Sequence, residues 1–125
     1  MALALLALPA LGCGVDASTD RSITGANGRF GFTLVDPVEV GEGRVDFVVE
    51  VEDLATGEPV DAAEVSARLT MPAMGHTSDP LADETAPGRY ELHDALIDMP
   101  GAWVLRVRVD DGGDIDEAEL SLDVP

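Results

Sequence analysis

The chain has 125 residues and carries 25 acidic residues against seven basic ones, for a formal net charge of −18. That length suits one domain. The charge argues against a nucleic-acid partner, which needs a basic patch, and against anionic lipid headgroups. The hydrophobic fraction of 46% suffices for a core, but only five residues are aromatic, so Val, Leu, Ala and Ile must build most of it. The acidity serves solubility and draws cations toward the surface.

Residues 2–12 of "MALALLALPALGC" are uncharged and nearly all apolar. The run is shorter than the roughly 20 residues of a bilayer span and fits the apolar region of a secretory signal. It ends in Ala10-Leu11-Gly12-Cys13, with the chain's one cysteine directly after a small residue. This resembles a bacterial lipobox, which implies a lipidated Cys13 as the mature N-terminus and a domain held at the membrane by lipid alone. Ala10 stands where Leu is usual, and no Lys or Arg precedes the run. A buried structural thiol is the competing reading of Cys13. The expected organisation is a signal over 1–12, Cys13 and a polar tether over 13–28, and one domain over 29–125.

From Ile23 onward, alternation with period two dominates. Phe30, Phe32 and Leu34 share one face. So do Val45, Phe47, Val49 and Val51, then Val65, Ala67, Leu69 and Met71, then Tyr90 and Leu92. Trp103, Leu105, Val107 and Val109 follow, and finally Ala118, Leu120, Leu122 and Val124. Strands with one wet face belong to antiparallel sheets. Turn chemistry separates them at "DPVEVGEG", "ATGEPVD", "SDPLADETAPG", "DMPG" and "DDGGD". No amphipathic helical stripe competes. The pattern predicts an all-β antiparallel immunoglobulin-like sandwich of about seven strands, without the Cys-Trp-Cys hallmark of antibody domains.

"MPAMGH", residues 71–76, gathers two of the four methionines and one of the two histidines. Pro72 ends the strand and suits the second position of a β-turn from Met71 to Met74. His76, two residues past Met74, would lie on the same side of an extended chain. Met99-Pro100-Gly101 repeats the Met-Pro pairing just before Trp103, and Pro-Gly is the sequence of a type II turn. Thioether sulfur is soft and neutral and favours Cu(I); imidazole adds a borderline donor. If the loops meet at one end of the sandwich, Met71, Met74, His76 and Met99 form one site, with Trp103 as its shield. His93 is a weaker candidate. Core packing is the competing reading, since Met71 is in phase with Leu69 and methionine fills gaps well.

"RLTMPAMGH", "APGRYEL" and "MPGAWVLRVRV" occur in that order and resemble the YtkA-like domain, over roughly Gly28 to Val124. That family is similar in layout to the FixH-like and CopC-like envelope proteins. The resemblance implies an extracytoplasmic module associated with copper or other metals, with Met71, Met74, His76 and Met99 as the carried-over positions. It equally implies that these residues are kept as a corner of the fold.

"DDGGDIDE", residues 110–117, crowds carboxylates without EF-hand spacing, and Asp-Gly-Gly between alternating runs predicts a hairpin. No nucleophile elbow, zinc-protease motif or phosphate loop is present, so no enzyme is expected. The expected function is a lipid-anchored copper carrier or sensor on the periplasmic or extracellular side. The alternative is a metal-free accessory domain whose partner is another envelope protein.

Overall fold

The computed structural model describes residues 21–37 and 39–125; the apolar run, Cys13 and the residues up to 20 lie outside them. Nine strands follow in chain order: β1 (Ser22–Thr24), β2 (Phe30–Asp36), β3 (Gly43–Asp53), β4 (Glu64–Met71), β5 (His76–Ser78), β6 (Leu81–Ala86), β7 (Arg89–Ile97), β8 (Gly101–Asp111) and β9 (Asp114–Val124). One sheet has the order β1-β2-β3-β7-β6, the other β5-β4-β8-β9, and every pairing is antiparallel. The described residues contain no helix, hence none long and apolar enough to cross a membrane.

The core is the meeting of the alternating faces read from the sequence. Phe30, Phe32, Leu34, Phe47, Val49, Val51, Tyr90 and Leu92 come from the five-stranded sheet; Leu69, Met71, Trp103, Leu105, Val107 and Val109 face them, with alternate residues of β9. All five aromatic side chains are buried there. Burying each such side chain stabilises by about 1.5–3 kcal/mol, at about 25 cal/mol per Å² of apolar surface. Tyr90 keeps its polar end satisfied: its hydroxyl donates to the Val60 carbonyl at 2.7 Å and accepts the Ala63 N–H at 3.2 Å.

Three differences from the expected strand set have identifiable causes. β1 falls within the expected tether, so the sheet begins before residue 29; its three residues pair with Gly31–Thr33 of β2. β5 and β6 lie where turn chemistry alone was expected. β6 is an edge strand whose side chains are mostly exposed, so its place rests on backbone hydrogen bonds to β7 and leaves no apolar alternation to read. β7 runs past Leu92 to Ile97. A register slip opposite Val45–Phe47, with Asp94 at φ +62°, shifts the inward positions from Tyr90 and Leu92 to Ala95 and Ile97. The Asp-Gly-Gly hairpin forms as expected: Asp111 pairs with Asp114 around Gly112 and Gly113, both at positive φ.

Among the described residues, β9 carries the one buried charged residue. Asp116 is 0% exposed and sits in phase with Ala118, Leu120, Leu122 and Val124. Its carboxylate accepts backbone N–H bonds from Asn27 (2.7 Å), Arg29 (2.9 Å), Phe30 (3.0 Å) and Glu117 (2.9 Å). The β1–β2 turn is thereby tied to the opposite sheet. Gly25 is required beside it, because a Cβ there would fall 2.2 Å from the carboxylate. Burial alone would raise the Asp116 pKa, but the four N–H donors outweigh it and hold the group below its ordinary 3.8. Because the folded pKa is the lower one, the stability from this group is complete above the unfolded value. It is lost as pH falls from about 3.8 through the folded value. Asp116→Ala strands several buried donors, at about 1–3 kcal/mol for each that finds no water, and should cost about 3 kcal/mol or more. Urea unfolding at pH 7 and pH 3 checks both statements: the variant should be weaker at pH 7, and the gap to wild type should narrow at pH 3.

Candidate metal centre

The hairpin joining β4 to β5 places the first candidates. The Met71 carbonyl accepts the Met74 N–H at 3.2 Å and the Gly75 N–H at 2.9 Å, which closes the expected turn. Gly75, at φ +70°, then reverses the chain so that His76 pairs with Met71. The expectation that Met74 and His76 share a side of an extended strand does not hold. Met74 is inside the turn, 57% exposed at its tip, whereas His76 is in β5.

Met71 continues the inward face of Leu69 and is 6% exposed. Its methyl occupies the space beside Gly101, where a Cβ would lie 2.5 Å from Cε. Gly101 also has φ +133°, a conformation that favours glycine. Met99 is partly buried against the same core, and its carbonyl accepts the Trp103 indole N–H at 3.0 Å. The buried Trp103 ring meets His76 edge-on, with centroids 6.4 Å apart and planes at 69°. Met71, His76, Met99 and Trp103 are therefore gathered at one end of the sandwich, with Met74 at the rim. His93 lies elsewhere, on the outer face of β7.

Sequence reasoning missed Asp98. Its carboxylate accepts the His76 Nδ1–H at 2.8 Å, from the connection between β7 and β8. With the proton of a neutral ring on Nδ1 toward this carboxylate, Nε2 is left as the donor atom for a metal. An imidazole held by a carboxylate at one nitrogen is the usual arrangement behind a metal-ligating histidine. Asp98 is 22 residues away in a chain rich in acids, and its one sequence signal was its place immediately before Met99-Pro100.

The donors at this end are uncharged sulfur and nitrogen in partly desolvated surroundings. Such a set suits a soft monovalent ion, whose burial costs less than that of a small divalent one.

No curated protein matches the chain. Among solved structures, the chain is similar to one titled "Crystal structure of the Lin-41 filamin domain". The TM-score is 0.55 and the sequence identity 16%, over 75% of this chain and 91% of that one. That likeness speaks for the immunoglobulin-like sandwich. The model of the YtkA-like family matches residues 26–108, more than half of the sequence, and the chain belongs to that family.

Proposed function

We propose that this protein is an extracytoplasmic copper-binding module, lipid-anchored through Cys13, which carries or senses Cu(I) rather than catalysing a reaction. The observation that carries the reading is the His76 imidazole, oriented by Asp98 at 2.8 Å beside Trp103 and paired with Met71 across β4–β5. His76 and Met74 are the accessible donors, with Met99 next to them and Met71 the most deeply packed. Copper held there would be kept as the reduced ion by thioether donors. The residues themselves do three things. Asp98 orients the ring, Trp103 closes the apolar side, and the acidic surface raises the local concentration of cations. The burial of Met71 against Gly101 favours a second reading, in which the corner is packing alone and the domain serves another envelope protein.

Competition for Cu(I) against a chromogenic chelator separates the two. The wild-type chain should withdraw copper, and Met74→Leu/His76→Ala should bind at least about tenfold more weakly, by loss of one or two ligands. A wild type that never competes ends the copper reading; a double variant that binds as well moves the site elsewhere. Asp98→Asn, which keeps the shape but weakens the hold on Nδ1, should weaken Cu(I) binding by about tenfold while leaving the thermal midpoint near wild type. Anchoring is tested by labelled fatty acid in cells: the wild-type chain should incorporate it and Cys13→Ser should not, and label in both would exclude Cys13 as the attachment point.

A further inference from the structure

The outer face of the five-stranded sheet carries a second constellation, distinct from the methionine corner. Three adjacent strands contribute to it: Asp46 from β3, Glu91 and His93 from β7, and Asp83 from β6. Asp83 is the register partner of Glu91. Asp46 sits in the β3–β7 slip, where Asp94 donates its N–H to Oδ1 at 3.0 Å. The His93 ring lies among them. Nε2 is 3.2 Å from Asp83 Oδ2 and 3.4 Å from Glu91 Oε1, and Nδ1 is 4.0 Å from Asp46 Oδ2. Donor atoms of Asp46, Glu91 and His93 all fall within 4.8 Å of one another.

The separations bear on what the cluster is for. A charge-assisted hydrogen bond from imidazolium to carboxylate is about 2.7–2.9 Å long, and all three distances exceed it. A tetrahedral shell with zinc–nitrogen and zinc–oxygen bonds of about 2.0–2.2 Å sets its donors about 3.3–3.6 Å apart. The Glu91 contact at Nε2 is close to that edge length, and the Asp46 donor lies within 4.8 Å of the donors of both Glu91 and His93. The three strands are hydrogen-bonded neighbours in one sheet, which sets their Cα positions side by side.

We propose that Asp46, Glu91 and His93 form a binding site for a divalent transition-metal ion of the zinc class, with Asp83 as a further carboxylate beside Nε2. The donors are one imidazole and carboxylates, with no thioether. This set selects a borderline divalent ion and rejects Cu(I), the opposite preference to the methionine corner. Solvent access supplies the fourth position, since the side chains of His93 and Asp46 are 33% and 55% exposed.

Calorimetric titration of the full chain with Zn²⁺ tests this. Wild type should bind one equivalent saturably. His93→Ala and Glu91→Gln should each weaken binding at least tenfold, while His76→Ala should leave it unchanged, which separates this site from the copper reading. Asp123→Asn, an exposed charge on β9, controls for bulk acidity and should change the affinity less than twofold. Absence of saturable binding by wild type, or a His93→Ala variant that binds as tightly, would overturn the proposal. So would equal weakening by Asp123→Asn.

Discussion

A buried carboxylate is the centre of the bonds that tie the two sheets together at one edge, beside the Ala26 N–H to Glu117 and the Asn27 and Arg29 side chains on Ile115 and Asp114. Asp116 receives four backbone N–H groups, three of them from the turn that leads out of β1 into β2, although its own strand belongs to the other sheet. Apolar contact between sheets is non-directional and tolerates sliding. A buried anion with four fixed donors does not, because each displacement exposes a charge to a low-dielectric interior. The requirement for glycine at position 25 follows from the same crowding. Registration at this edge keeps β8 and β9 in place, and β8 in turn delivers Gly101 and Trp103 to the far end of the sandwich.

Much of this was readable beforehand, for a physical reason. A sandwich has one dry and one wet face per sheet, and the period-two pattern of β2, β3, β4, β8 and β9 records it directly. β6 escaped because it lies at an edge with both faces open, and β5 because three residues are too few to show a period. Asp116 looked like one more acid in "DDGGDIDE", yet its phase with Ala118 and Leu120 marked it as inward-facing. An acid on an apolar face needs donors, and that signal lay in the sequence unread.

The candidate site was legible in composition and less so in geometry. Met71, His76, Met99 and Trp103 do meet at one end, as two Met-Pro corners at strand ends suggested. The position of Met74 depended on the φ of Gly75, a single torsion that turns the chain, and spacing rules for extended chain could not anticipate it. Asp98 depended on which loop crosses which, a property of the assembled sandwich. The Asp46–Asp83–Glu91–His93 group needed three strands to be placed side by side before its members could be neighbours at all.

The last strand gives the acidity of the chain a local meaning. β9 is eleven residues long and lies at the edge of its sheet; the Ala26 N–H donates to the Glu117 carbonyl near its start, and beyond that the edge is of the kind onto which a second chain can zip. Its outward side chains include Glu117, Glu119 and Asp123, and two copies meeting edge to edge in antiparallel fashion would bring these carboxylates opposite one another. Within the molecule Arg106 relieves Glu119. The strand therefore turns apolar side chains toward its own core and like charges outward, which disfavour pairing with a second copy.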